Sequence, residues 1–329
     1  MAAENATNRP GRSVSIVLPF LNEAETLEPL VTEIRNVMAK TERRFDIFLV
    51  NDGSTDAGAK IAADLARRWP ELRMISFTRN FGKASALSAG FTHSRGDIVI
   101  TMDADFQDDP SEIPRFLEQI DAGFDVVSGW KQKRNDPISK TLPSKVFNFM
   151  TSWNFGIKLH DINCGFKAYT RRAVKSLNLY GELHRFTPAI LNERGYRITE
   201  IAVKHNPRKF GQSKYGGSRF IKGILDIVTV KLVAHYHVRP LHFFALIGIP
   251  ILLFGLLALS YLSVLWLLHY RPIGDRPLML IGLLSVIVGV QILGTGLLAE
   301  LIQSRSMSED KKYVIDEIAG LDDDDMPTP

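Results

Sequence analysis

Between Arg239 and Arg271 the chain carries no Asp, Glu, Lys or Arg for 31 residues, and between Arg276 and Glu300 none for 23. As helix, each run is long enough to cross about 30 Å of hydrocarbon. A core helix can be equally apolar, but two adjacent runs of this length are not expected inside a soluble domain. Over all 329 residues the chain is 45% hydrophobic and 23% charged. Those values are near globular averages and exclude a disordered, collagen-like or low-complexity chain. The asymmetry therefore predicts a polar domain followed by a membrane hairpin. Residues 1–13 are polar, and Val14–Phe20 is too short for the apolar core of a signal peptide.

The sign of the flanking charge sets an expected orientation. Lys204, Arg208, Lys209, Lys214, Arg219 and Lys222 occur with no acid among them, whereas Tyr270–Arg276 is only weakly basic. By the positive-inside rule the large domain is cytoplasmic, at a cell (inner) membrane, and the short loop external. Phe220–Val238 places Phe220, Ile221, Ile224, Leu225, Ile227, Val228, Leu232 and Val233 at helical spacing, interrupted by Lys222, Asp226 and Lys231. This predicts an amphipathic helix lying in the interface, with a soluble-domain core helix as its alternative. The expected organisation is a tail at 1–13, a catalytic domain at 14–217, an interfacial helix at 218–238, a hairpin at 239–303, and a strand with an acidic tail at 304–329. The net charge of +4 is mildly basic, and the one cysteine, Cys164, excludes an internal disulfide and a multi-cysteine zinc cluster.

In the polar part, short β-branched runs alternate with helical patterns. Strands are expected at Val14–Pro19, Phe45–Val50, Leu72–Phe77, Ile98–Met102 and Asp125–Ser128. Helices are expected from Asn22 to about Lys40, up to about Trp69, at Lys83–His93 and at Pro110–Ala122. Asn22 with Glu25 three residues on has the form of a capping box. Such alternation predicts an α/β, Rossmann-like, mostly parallel sheet with helices on both faces. Ligands bind such sheets at the carboxyl ends of the strands. The conspicuous polar residues, Pro19 to Glu23, Asp52 and Asp103 to Gln107, fall at those ends.

Asp103-Ala104-Asp105 follows a hydrophobic strand, and Gln107 adds a further oxygen. Two carboxylates so spaced at a strand end suit a hard divalent cation, which can bridge phosphate oxygens and neutralise a diphosphate leaving group. A lone Asp-x-Asp is usually a solvated turn; after one strand, with Asp52-Gly-Ser-Thr-Asp56 after another, it is a strong signal. Dinucleotide and phosphate-loop glycine patterns are absent, and Asn80-Phe81-Gly82-Lys83 lacks the spacing of a phosphate loop.

Val17-Leu18-Pro19-Phe20-Leu21-Asn22-Glu23, Val50-Asn51-Asp52-Gly53-Ser54-Thr55-Asp56, Arg79-Asn80-Phe81-Gly82-Lys83 and Asp103-Ala104-Asp105-Phe106-Gln107-Asp108 occur in order. Together they resemble the family 2 (GT-A) glycosyltransferases. Asp161-Ile162-Asn163-Cys164-Gly165-Phe166-Lys167 and His205–Tyr215 make the chain similar to the polyprenyl-phosphate (dolichol-phosphate-type) hexosyltransferases with a two-helix C-terminal hairpin. The resemblance implies inverting transfer of a hexose from a nucleoside-diphosphate sugar to a polyprenyl phosphate, with Mg²⁺ or Mn²⁺. It implies a nucleoside pocket at Pro19, Leu21, Glu23, Val50 and Asp52. Metal and diphosphate would be held at Asp103, Ala104, Asp105 and Gln107, and phosphates would meet Lys131 and Lys214. Leu21 stands where many members have tyrosine, and Asn51 where many have a second aspartate. UDP-glucose is the favoured donor and GDP-mannose the alternative.

A lipid phosphate needs cations on the membrane side, which Lys131–Lys145 and the 204–222 run supply. The candidate phosphate contacts are Lys131, Arg134, Lys145, Arg208, Ser213 and Lys214. Attraction to anionic headgroups is a second use of the same charge. A DNA-reading motif is absent, so nucleic acid is not an expected partner. Asp161 is the resemblance's candidate base, yet a phosphate monoester is already mostly ionised, so orientation of the acceptor is the expected role. Cys164 is expected to be buried and His205 structural or phosphate-facing. Arg67-Arg68-Trp69 reads as a helix end, and Asp322–Asp325 as a solvated tail. Lys311–Asp316 is expected to be an exposed edge strand that pairs with another chain; with the resemblance, this suggests a homotetramer. A different acceptor, or a non-enzymatic membrane scaffold, are the competing functions.

Overall fold

The computed structural model describes residues 11–132, 157, 159–204, 240–270 and 276–306. The expected interfacial helix, the C-terminal strand, and Arg134, Lys145, His205, Arg208, Ser213 and Lys214 lie outside the described residues. The chain divides into two compact units, one up to residue 228 and one from residue 229.

The first unit is built on a sheet of seven strands: β1 (Val14–Phe20), β2 (Phe45–Asn51), β3 (Leu72–Ser76), β4 (Ile98–Thr101), β5 (Val126–Lys131), β6 (Lys167–Thr170) and β7 (Ile198–Val203), in the order β3-β2-β1-β4-β6-β5-β7. Four pairings are parallel, β2 with β1 and β3, β1 with β4, and β5 with β7. Strand β6 runs antiparallel to both its neighbours, β4 and β5. The mostly parallel sheet is as expected; the inserted antiparallel strand is not. Its four residues, Lys-Ala-Tyr-Thr, are too few to show a hydrophobic period, and the long-range pairing alone makes them a strand.

All seven residues of β1 are buried, as an inner strand covered on both faces requires. Helix α1 (Ala24–Ala39) lays Leu27, Leu30, Val31, Ile34 and Met38 on the core at helical spacing. Helices α2 (Gly58–Arg68) and α3 (Lys83–His93) follow β2 and β3. A short 3₁₀ turn, Pro110–Glu112, leads into α4 (Ile113–Asp121). Arg67 and Arg68 do close α2, and Cys164 is buried.

The capping box expected at Asn22 does not form. Glu23 occupies the N-cap with no side-chain bond, and Asn22 sits at φ 57°. The first-turn amide of Ala24 instead donates to Asp56 Oδ2 at 3.0 Å, while Asp56 Oδ1 accepts from Gly58 N at 2.9 Å. One aspartate, 32 residues away in sequence from Ala24, thus caps two helices whose positive ends converge.

The second unit is a pair of helices, Pro240–Leu267 and Pro277–Ser306. Their apolar windows have mean hydropathies of 2.5 and 2.3, and only 17% and 11% of them are buried within the chain. That exposure is wrong for core helices of a soluble protein, and the helices are long and apolar enough to cross a membrane. They run antiparallel through small residues: a Cβ on Gly255 would lie 2.7 Å from Gly282 O and Val286 N, and one on Gly289 would lie 2.8 Å from the Leu252 backbone. Such close approach is how helices associate where lipid removes the hydrophobic drive. Glu300 Oε2 accepts from Leu241 N at 3.1 Å, satisfying an orphan amide at the start of the first helix.

Candidate active site

The parallel register Phe20 with Asn51 and Val17 with Thr101 brings the carboxyl ends of β1, β2 and β4 to one edge. The candidate residues of the nucleoside pocket gather there. Pro19 and Val50 are register partners and buried in the sheet. Leu21 and Glu23 are half-buried at the rim. Asn51 donates to Ser76 Oγ at 2.9 Å and accepts from Ser54 N at 2.9 Å. It knots the β2 turn to β3.

Asp52 is buried and accepts from the amides of Phe81 at 2.8 Å and Gly82 at 3.1 Å. Gly82 is the N-cap of α3, so the carboxylate sits at the positive end of that helix. Hydrogen bonds to a charged acceptor contribute about 1.5–3 kcal/mol each. Gly53 has φ 74°, and a Cβ there would lie 2.3 Å from the Arg79 carbonyl carbon. The Asp52-Gly53 pair therefore clamps the Arg79–Lys83 loop, and that loop aims Lys83 inward.

Beyond β4 the chain turns through Asp103-Ala104-Asp105-Phe106, with Phe106 at φ 60°. The Ala104 carbonyl accepts from Thr26 Oγ1 at 2.6 Å, latching the turn to the first turn of α1. Gln107 enters through its backbone, donating to Asp105 Oδ1 at 3.2 Å. Asp103 is ion-paired with the Lys83 ammonium. Burial works against its ionisation, but the Lys83 and Lys131 charges outweigh it and hold Asp103 well below the usual carboxylate range. Burial and the Asp103 charge push Asp105 the other way.

Lys131, expected at a phosphate, pairs with Asp108 Oδ1 at 2.8 Å; the Asp108 side chain is wholly buried and that of Lys131 is 12% exposed. Burial opposes the Lys131 charge, and the Asp108 carboxylate restores and exceeds it, so the pKa is raised. Asp161 is buried beside Cys164. Burial, with the Asp108 and Asp161 charges, pushes that thiol up to about 12 despite Lys131, which makes it inert rather than nucleophilic.

A cavity of about 30 Å³, room for a water or two, is lined by Lys83, Thr101, Cys164, Lys167, Tyr169 and His184 among others. Lys167, on β6, is 3% exposed, and burial pulls its pKa down to about 8. His184 is taken down to about 3 by burial, then by Lys83, Arg185 and Lys167, so it is a neutral imidazole. Lys83, Lys167 and His184 were given no role from sequence. Lys83 and Lys167 each close a stretch on which the resemblance rests, Arg79–Lys83 and Asp161–Lys167; His184 carried no signal.

The expected donor set for a cation is the two carboxylates of Asp103 and Asp105, with the Gln107 side chain as a further oxygen. Among the described residues no group of three or more His, Cys, Asp or Glu is arranged around a metal position. That set fits Mg²⁺ or Mn²⁺, which bind through one or two carboxylates and complete their shell with substrate phosphates and water. Two observations favour a cation at Asp103. An ammonium already sits on its carboxylate. Gly165 leaves that carboxylate its space, because a Cβ there would lie 2.6 Å from both oxygens.

The sheet order, the acids beyond β4 and the apolar hairpin can be set beside known proteins. The model of the family described as Glycosyl transferase family 2 matches residues 15–177. A Rhizobium johnstonii protein named dodecaprenyl-phosphate galacturonate synthase is 36% identical over 321 residues, 95% of each chain. The chain belongs to glycosyltransferase family 2. This family 2 member is also 34% identical over 299 residues, 90% of each chain, to the undecaprenyl-phosphate 4-deoxy-4-formamido-L-arabinose transferase of Klebsiella pneumoniae. Its fold matches the glucosyl-3-phosphoglycerate synthase of Mycobacterium tuberculosis, crystallised with Mn²⁺ and UDP-glucose, at a TM-score of 0.54 and 20% identity over 68% of this chain and 79% of that one. The matched 15–177 stretch holds Asp52, Lys83, Asp103, Asp105, Asp161 and Lys167; His184 lies beyond it.

Proposed function

We propose that this family 2 glycosyltransferase moves a sugar from a nucleoside-diphosphate donor to a polyprenyl phosphate at a membrane surface, with its polar unit in the cytoplasm. The observation that carries the reading is one chain joining the Asp103/Asp105 pair beyond β4 to a hairpin of two membrane-length apolar helices. Relatives aligned over most of the chain, whose names carry dodecaprenyl-phosphate galacturonate and undecaprenyl-phosphate 4-deoxy-4-formamido-L-arabinose, support it.

Asp103 and Asp105 would hold Mg²⁺ or Mn²⁺. When bound, the ion supplies neutralisation of the charge that develops on the departing diphosphate. The chain's own part is positional. The Asp52 clamp fixes the start of α3, and the Thr26 latch fixes the acid turn, so the donor meets a preformed edge. A phosphate oxygen of the lipid attacks the anomeric carbon, and the bond from that carbon to the diphosphate oxygen breaks on the opposite face, giving inversion. The attacking oxygen is already ionised near neutral pH, so no proton has to be removed. Asp161, buried near the site, orients the acceptor side rather than acting as a base. The hairpin would tether the polar unit to a membrane and so raise the effective concentration of an insoluble acceptor. The edge strand expected at Lys311–Asp316, with the resemblance, supports a homotetramer as the assembled enzyme.

UDP-glucose is the donor expected from the sequence. The relatives' names carry galacturonate and 4-deoxy-4-formamido-L-arabinose. The test is transfer to purified polyprenyl phosphate by full-length protein in detergent. Radiolabelled UDP-glucose, UDP-galacturonate, UDP-linked formamido-arabinose and GDP-mannose are compared, and product is read in the organic phase. Label in the lipid phase from one of these supports the reading and names the sugar. Donor turnover with no labelled lipid from any of them overturns the acceptor.

A further inference from the structure

We propose that Lys83 is an internal cation that occupies the divalent ion's place on Asp103 until the donor arrives, and then passes to the diphosphate. The inference rests on the donor site proposed above and adds a residue and an order of events to it. Its basis is geometric. The Lys83 ammonium is ion-paired with Asp103, the first of the two acids that would hold the metal. The lysine reaches that position because it opens α3 directly after Gly82, whose amide is anchored on Asp52 at 3.1 Å. The two side chains are 36% and 31% exposed, so neither is sealed in, and the ammonium can be exchanged for another cation without unfolding.

A carboxylate oxygen that faces an ammonium is not available to a metal at full strength. Mg²⁺ or Mn²⁺ entering without a nucleotide must displace Lys83 from that carboxylate, at the cost of the ion pair. When a nucleoside diphosphate enters with the ion, the displaced ammonium meets phosphate oxygens, for which lysine is a suitable point charge. Metal and nucleotide therefore bind with positive coupling, and Lys83 carries much of that coupling. The arrangement also keeps Asp103 ionised and paired between turnovers, avoiding two unneutralised carboxylates side by side.

The test is Mn²⁺ binding to the full-length protein in detergent, read by electron paramagnetic resonance of the free aquo-ion, with and without UDP. Lys83→Met removes the charge and keeps the volume; Lys83→Gln removes the charge and keeps a hydrogen bond; Lys83→Arg keeps the charge. Without UDP, the Met and Gln variants bind Mn²⁺ about tenfold more tightly than wild type, the scale expected for removing a like charge at a partly exposed site. The Arg variant stays near wild type. With UDP the advantage of Met and Gln disappears, so the UDP-induced tightening shrinks about tenfold. Equal or weaker Mn²⁺ binding by both neutral variants in the absence of UDP overturns the proposal, as does tightening in the Arg variant. Wild type that binds no Mn²⁺ even with UDP overturns it together with the metal reading, whereas failure of lipid transfer alone leaves the Mn²⁺ result standing.

Discussion

Gly165→Ala strains the Asp103 carboxylate directly. A Cβ at that position would lie 2.6 Å from both Asp103 carboxylate oxygens and 2.7 Å from its carboxyl carbon. Ordinary van der Waals contact begins at 3.4 Å, so the carboxylate must retreat by about 0.8 Å, since the Gly165 carbonyl is itself held by Thr101 Oγ1 at 2.9 Å. Displacements near 1 Å at a reacting constellation cost on the order of 10²-fold in rate, so kcat for sugar transfer is expected to fall roughly 30- to 100-fold. Overpacking one methyl costs about 1–3 kcal/mol, and thermal stability falls by only a few degrees. The assay is radiolabelled sugar transfer to polyprenyl phosphate alongside a thermal melt in the same detergent. Wild-type kcat in a folded Gly165→Ala protein would show that Asp103 does not need its present position. That result would refute the assignment of Asp103 to the chemistry.

Three further outcomes follow from the same geometry. Asp161→Asn is expected to lower the transfer rate less than Asp105→Ala does, because the acceptor needs no base; steady-state rates in the reverse order reject the orienting role. Asp52→Ala removes the acceptor of the Phe81 and Gly82 amides and is expected to destabilise the polar unit by about 2–4 kcal/mol; a chemical melt within about 0.5 kcal/mol of wild type would contradict the clamp. Lys167 has a folded pKa of about 8 against an ordinary 10.5, so between those values the unfolded chain binds more protons and wild-type stability rises with pH. Below pH 8 the buried charge is fully present and costs on the order of 3 kcal/mol relative to pH 10.5. Lys167→Met lacks that slope, so its advantage over wild type shrinks from pH 7.5 to 9.5, and an advantage independent of pH would mean the ammonium is not desolvated.

Much of the fold is legible from local pattern. Lys83–His93 is helical with the expected bounds, and β1, β2 and β4 lie within a residue or two of theirs, because buried parallel strands are continuous apolar runs with turn residues after them. The family was legible for the same reason: Asp52, Asp103 and Asp105 follow such strands, and spacing after a strand end is a local property. What escaped is what depends on distant partners. Strand β6 exists through pairing with β4 and β5. The cap of α1 comes from Asp56 rather than Asn22, because the converging ends of α1 and α2 place one carboxylate within reach of both. Lys131 faces Asp108, and Lys83 faces Asp103; a sequence shows that a lysine is present but not which carboxylate it will meet. The burial that lowers Lys167 and His184 is likewise a property of the closed fold.

The measurement that decides between a metal-assisted lipid glycosyltransferase and any other use of this fold is transfer to polyprenyl phosphate under metal control. Full-length wild type, Asp103→Asn and Asp105→Asn are compared with the best donor, in Mg²⁺ or Mn²⁺ and again in EDTA. Labelled lipid is expected from wild type with metal, falling by at least about 10²-fold on chelation or on either substitution, in proteins that melt like wild type. Undiminished lipid labelling by the two asparagine variants, or by wild type in EDTA, would contradict the assignment of these acids.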